Sequence, residues 1–344
     1  MCAKRHQIFE EKSQSLVLLF FVILPTKIGG EIMIQMRRNI TSLEEAEKEF
    51  LISCKVRNLA EATIKSYKEC FDFFVKYMND TYENIDMYND ITQDTISNYI
   101  LDMKASKLKD STINIRLRSI RVVLYYFMDN DYINNFKIET IKETEKFPEL
   151  YTDTEVAILL KKPDTKTCTF AEYRTWVIIS FFVATGVRSR TLRNIKIKDL
   201  DFDNDLIYLR TTKNRKLSVI PMGKAIKKIL LDYLKVRGTE NEDYLFCNLE
   251  GRQLTKNALC NIVSKYNRKR GVHRTGIHLF RHYFAKNYIQ NGGNALKLQK
   301  ILGHSTLKET QRYVDLFGRD LQKDFDEFSP LDKIYKSKER IKMR

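Results

Sequence analysis

The chain has 344 residues, enough for two ordinary domains, and its 60 Lys and Arg outweigh 44 Asp and Glu for a formal net charge of +16. Such an excess points to a polyanionic partner, either nucleic acid or an anionic membrane surface. The six cysteines, at positions 2, 54, 70, 168, 247 and 260, form no C-x-x-C pair, which excludes a zinc framework or a disulfide scaffold and fits reduced intracellular thiols.

The first candidate element is the apolar run LVLLFFVIL, Leu16 to Leu24, preceded by Lys4, Arg5 and Lys12. It is too short to span a bilayer, although it would suit the core of a signal peptide. It is followed by Gly29-Gly30-Glu31 and then Met33. That tripeptide can be encoded by a purine-rich ribosome-binding sequence a few bases ahead of an ATG. The expectation is that residues 1–32 are a translated leader, that the native start is Met33 or Met36, and that residues 1–40 stand outside the folded domains.

From Ser42 the pattern is helical for roughly ninety residues, and residues 41–136 read as a helical domain. Ser42 and Glu45 have capping-box spacing, EATIKSYKECFDFFVKYM runs apolar at helical spacing, and Thr92 caps TQDTISNYILDM. The last helix starts at a cap near Asp110 or Ser111. Ile113, Leu117, Ile120, Leu124 and Met128 form its core stripe, and Asn114, Arg118 and Arg121 lie on the other side. A charged face of this kind is ordinarily a solvated one.

Residues 137–150 read as a linker, ending at Pro148 before a second capping box, Thr152 with Glu155. Within the following domain, 151–325, YRTWVIISFFVATG is apolar nearly all round and therefore buried. Leu206–Thr211 and Leu217–Pro221 read as two strands joined by a polar turn, and helices dominate from Lys224 onward. Residues 326–344 form a basic tail; the segment beyond residue 317 holds a helical stretch, and Phe325, Phe328 and Leu331 are candidate anchors to another surface.

Chemistry concentrates in HLFRHYF, which holds two of the five histidines beside an arginine. On a helix His278, Arg281 and His282 fall within about a 100° arc and address one site. A metal reading lacks the H-E-x-x-H glutamate and a third ligand. Arginine beside imidazole instead suits a phosphate, which guanidinium grips through two oxygens. Leu302-Gly303-His304 and Tyr313 follow downstream, and Arg188 stands just past the buried helix, where Gly186 can turn it inward.

In this order, Arg188, a hairpin lysine, His278-x-x-Arg281, Leu302-Gly303-His304 and Tyr313 resemble the active-site signature of the tyrosine recombinases, the phage integrase family, including Xer-like and mobile-element members. The resemblance implies a mainly α fold, with a helical core-binding domain and a mostly helical catalytic domain carrying a small antiparallel sheet. It implies that Tyr313 attacks a DNA phosphodiester to form a 3′-phosphotyrosyl bond. Arg188, Arg281 and His304 would hold the phosphate, His278 would take the tyrosine proton and Lys213, with Lys216 as the alternative, would protonate the leaving oxygen.

No metal, ATP or other cofactor is called for, because the covalent bond conserves the energy needed for rejoining. His282 matches a common family position and reads as a supporting residue. Thr191 stands where the family usually has an acidic residue, which implies weaker support of the site.

The implied partners are double-stranded DNA and three further copies of the chain, a homotetramer on two DNA sites, to which accessory proteins can be added. The implied location is cytoplasmic, with no membrane. Arg118 and Arg121 become candidate DNA contacts. The expected activity is integration and excision of a mobile element. The alternatives are a chromosome-dimer resolvase, a type IB topoisomerase-like nicking and closing enzyme, and a non-catalytic DNA-binding regulator; supercoil relaxation by monomers, or binding without a covalent adduct, would mark the last two.

Overall fold

In a computed structural model, the structure describes residues 21–28, 31–38, 42–85, 90–143, 149–210, 217–240, 242–304 and 306–317. The chain divides into two compact units, Met1–Lys146 and Phe147–Arg344. Lys213, Lys216, the expected anchors Phe325, Phe328 and Leu331 and the basic tail lie outside the described residues.

The first unit opens with β1 (Phe21–Ile28) and β2 (Glu31–Arg38), an antiparallel pair in register from Phe21 opposite Arg38 to Ile28 opposite Glu31. The sequence reading assigned this segment no strand. In a two-stranded ribbon both strands have an open edge, so Pro25 is compatible with pairing.

Four helices follow: α1 (Leu43–Val56), α2 (Glu61–Thr81), α3 (Gln93–Ala105) and α4 (Asp110–Asp129). Ser42 caps α1 by accepting from the Glu45 backbone N–H at 3.2 Å, one half of the expected box. The start of α4 departs from expectation: Lys109 holds the N-cap position and makes no side-chain cap, while Asp110 is already helical. Ile113, Leu117, Ile120, Leu124 and Met128 are buried as the stripe requires. Around them Phe71 meets Phe127 edge-on at 5.7 Å and Phe74 meets Tyr99 at 5.4 Å.

Asn114 does not share the solvated face with Arg118. It is only 2% exposed. Its amide donates to the Ile141 carbonyl at 3.0 Å and to Glu143 Oε2 at 3.2 Å, and its oxygen accepts from the Ile141 N–H at 2.9 Å. Ile133 and Ile138 are buried in the same core, so the start of the stretch read as linker is held against the helical unit.

The second unit is arranged around α6 (Phe170–Thr185), buried nearly all round as its composition demands. It is preceded by α5 (Asp153–Leu160), whose Thr152–Glu155 capping box forms in both directions, at 3.1 and 2.8 Å. After the short α7 (Ser189–Asn194), β3 (Leu200–Asp201), β4 (Leu206–Leu209) and β5 (Ser218–Pro221) form an antiparallel sheet in the order β3-β4-β5. The expected hairpin strands are present but shorter, and β3 was not anticipated because two residues carry no alternation to read.

Helices α8 (Lys224–Arg237), α9 (Lys256–Lys269), α10 (Ile277–Gln290), α11 (Ala295–Leu302) and α12 (Leu307–Phe317) complete the unit. Phe280 of α10 is fully buried between Tyr151, stacked at 4.4 Å, and Phe182 of α6, parallel at 6.1 Å. Truncating such a ring costs about 3–5 kcal/mol. This anchor fixes the rotation of α10 and therefore the direction of Arg281 beside it. Among the described residues no helix is long and apolar enough to cross a membrane.

Candidate active site

The site begins where α6 ends. Gly186 adopts a left-handed φ of +62°, and its N–H closes the helix on the Phe182 carbonyl at 2.8 Å. A Cβ here would meet Phe284 at 2.5 Å and Leu302 at 2.9 Å, so both conformation and space require glycine. The chain then reverses, and Arg188 occupies the N-cap position of α7.

Two guanidiniums converge from separate helices. Arg188 Nη1 donates to the Leu302 and Gly303 carbonyls, each at 3.3 Å. Arg281 Nη1 donates to the Gly186 carbonyl at 2.9 Å, and its Nη2 donates to the same Leu302 carbonyl at 2.8 Å. Arg281 is 7% exposed; burial first, and then the Arg188 charge, push its pKa down to about 10. Thr191 is buried and lines the same cleft as the two arginines and Ser218 of β5.

The carbonyls that hold them come from the end of α11. Asn294 caps the start of that helix, accepting from Leu296 and Lys297 N–H at 2.9 and 3.1 Å, and Gly303 ends it with φ +62°. His304 follows immediately, its N–H bonded to Gln299 O at 3.1 Å. Its Nδ1 lies 2.8 Å from the hydroxyl of the fully buried Thr310. With that hydroxyl donating, the neutral ring carries its proton on Nε2. Burial first, then Arg281 and Arg188, push the His304 pKa down to about 4, so the ring is neutral at pH 7 and the 3.7 Å approach of Glu309 is not an ion pair there.

Tyr313 is brought in by α12. It is 5% exposed and packs with Ala285, Leu298 and Leu302. The His304 ring stacks on it at 6.4 Å, 9° from parallel. Its hydroxyl lies 2.6 Å from Nδ1 of His282. Burial raises the Tyr313 pKa, against which the nearby Arg281 acts. His278 is exposed at the rim; crowding by surrounding protein, then Arg281, Arg188 and Lys256, lower its pKa.

The profile of the Phage integrase family matches residues 150–319, and that of the Phage integrase, N-terminal SAM-like domain matches residues 48–130. The chain belongs to the tyrosine recombinase, or phage integrase, family.

This recombinase is 27% identical to the tyrosine recombinase XerC of Staphylococcus epidermidis over 82% of its own chain and 96% of the relative. It is 26% identical to the tyrosine recombinase XerD of Oceanobacillus iheyensis over 84% and 99%. Its fold is similar to that of the Tn1549 transposon integrase in complex with a circular intermediate DNA, with a TM-score of 0.63, 20% identity and 79% and 94% of the two chains covered. XerH site-specific recombinase bound to palindromic difH substrate gives a TM-score of 0.61 at 20% identity, covering 82% and 88%.

Of the residues singled out in the sequence, Arg188, Arg281, His304 and Tyr313 are brought together, with His278 at the rim. The sequence reading set His282 aside as supporting, yet it is the histidine at the tyrosine hydroxyl. Thr310 was missed altogether; its only signal was its place three residues before Tyr313, on the same helical face. In the helical unit Arg118 is exposed and Arg121 half-buried on α4. Among the described residues, no three or more His, Cys, Asp or Glu side chains are grouped to hold a metal ion.

Proposed function

We propose that this tyrosine recombinase acts on double-stranded DNA at specific sites, cutting and rejoining strands through a 3′-phosphotyrosyl intermediate on Tyr313, and that it integrates and excises a mobile element from the cytoplasm as a homotetramer. The observation that carries the chemical reading is the convergence of Arg188 and Arg281 on the Leu302 carbonyl, beside the turn that leads to His304 and Tyr313. A phosphodiester offers charged non-bridging oxygens to both cations at once, where the peptide offers neutral carbonyls: the shared Leu302 oxygen and one more each, those of Gly303 and Gly186.

In the forward step Tyr313 Oη forms a bond to phosphorus while the bond from phosphorus to the 5′ oxygen breaks. The hydroxyl proton goes to His278 of α10. Lys213 supplies a proton to the departing 5′ oxygen. Arg188, Arg281 and the Nε2–H of His304 stabilise the charge that builds on the phosphoryl oxygens. Rejoining runs these transfers backward, with the 5′ hydroxyl as nucleophile. The net charge of +16 and the exposed Arg118 and half-buried Arg121 suit a duplex backbone.

Support for the mobile-element role comes from Thr191 in place of an acidic residue, from the extended basic C-terminal sequence and from the fold shared with a transposon integrase. The test is a nicked suicide duplex built from the flanks of the gene. A covalent adduct with wild type, absent with Tyr313→Phe, is the expected result. Binding without adduct would favour a non-catalytic regulator, and adducts only on chromosomal sites distant from the gene would favour a resolvase.

A further inference from the structure

Two consecutive residues of α12 bracket the His304 ring. Thr310 Oγ1 lies 2.8 Å from Nδ1, and the Glu309 carboxylate lies 3.7 Å from Nε2. With Nδ1 accepting from Thr310, the ring carries its proton on Nε2, the nitrogen that Glu309 approaches. The separation is too long for a hydrogen bond, so Glu309 stands near the donor without holding it. Among the described residues it is the one carboxylate that comes within salt-bridge distance of the three groups assigned to the phosphate, Arg188, Arg281 and His304.

We infer that Glu309 is an internal brake on the site: its carboxylate stands across the approach to the His304 Nε2–H, and a scissile phosphate must displace it to gain that third donor. The inference rests on the recombinase reading above and adds a restraint to it. No bond is made or broken at Glu309; it acts through its charge and its place.

Charge gives the contact its sign. A phosphoryl oxygen about 2.9 Å from Nε2 would lie within about 7 Å of the Glu309 carboxylate, and two anions at that range repel. Glu309 also stands four residues before Tyr313, on the same face of α12. Burial raises the Tyr313 pKa, Arg281 and Arg312 oppose that rise, and the Glu309 charge adds to it. The carboxylate therefore opposes both the arrival of the phosphate and the loss of the tyrosine proton.

An acid in the first turn of a helix ordinarily serves the helix dipole, as Glu309 also does. Its approach to Nε2, while its neighbour Thr310 engages Nδ1, ties it to the site as well. The two side chains differ in freedom: that of Glu309 is 49% exposed and that of His304 only 5%. Rotation of Glu309 into solvent thus frees the donor while Thr310 keeps the ring in place.

The test uses the full-length protein and a nicked suicide duplex in single-turnover mode at saturating DNA. Glu309→Gln, which keeps the shape and removes the charge, is expected to speed adduct formation by about 3–10-fold. In a His304→Ala background the same change should alter the rate by less than about twofold, because the donor that Glu309 guards is gone. An unchanged or slower rate for Glu309→Gln, or the same acceleration in both backgrounds, overturns the inference.

A second measurement does not depend on cleavage. In nitrogen-15 spectra of labelled histidine recorded without DNA, the His304 Nε2 signal should shift in Glu309→Gln. An unchanged signal rejects the contact. If wild type forms an adduct and Glu309→Gln does not speed it, only the brake fails; if the His304 signal responds but wild type forms no adduct, the recombinase reading fails and the brake fails with it.

Discussion

In the helical unit Asn114 is buried with both ends of its amide bonded around Ile141, whereas in the catalytic unit Arg188 and Arg281 crowd one carbonyl oxygen, that of Leu302. The first group is neutral and fully partnered, and its burial secures a chain segment. The second pair is charged, and among the described residues neither guanidinium has a carboxylate within ion-pair range. Crowding like charges, one of them buried and the other half-buried, opposes folding, so this arrangement makes physical sense as a place where an anion binds. A buried polar residue becomes informative about function when its partner set is mismatched to its charge.

The largest expected effect on that contrast is at Arg281. Arg281→Lys keeps the charge and loses the planar fork, and adduct formation should fall by roughly 10²–10³-fold while the folded state persists. Wild-type cleavage by this variant would place the arginine pair with Asn114 as packing. Asn114→Ala should behave in the opposite way, lowering unfolding free energy by about 1–3 kcal/mol in a urea titration with no change in single-turnover cleavage at saturating DNA. A cleavage defect there would erase the division between the two kinds of burial.

A smaller effect concerns pH. The His304 pKa is about 4 in the folded protein, against about 6.5 for an unfolded imidazole. Between those values the unfolded chain binds more protons, so stability should fall as pH drops from 6.5 towards 4, and His304→Gln should flatten that dependence. The smallest effect is expected at exposed Arg118: Arg118→Ala should weaken DNA binding only a few-fold and reduce the salt slope of log affinity by about 1. An unchanged slope would leave that side of α4 as solvated surface.

Most helices were legible because their apolar spacing and caps are local signals. Thr152 with Glu155 and the unbroken apolar run of α6 both carried over into structure. Asn114 was misread for a physical reason: periodicity put it opposite the core stripe, but its burial comes from a segment 27 residues later in the chain. The start of α4 was misread because Asp110 resembles a cap and is instead its first residue.

The cluster of Arg188, Arg281, His304 and Tyr313 could be recognised from residue types and order. Which imidazole meets Tyr313 could not, since His282 and Tyr313 are 31 residues apart and four residues of helix separate His282 from an equally suitable His278. Thr310 was hidden similarly, as one hydroxyl among many until the fold set it against His304.

Gly186 carries a consequence of another kind, one of tolerance. With less than a methyl group of clearance towards Phe284 and Leu302, it is the datum from which both cations are located. Arg188 lies two residues along the chain from it, and Arg281 is bonded to its oxygen. An error in placing this one residue therefore disturbs both cations at once, Arg188 through the chain and Arg281 through the oxygen that holds it.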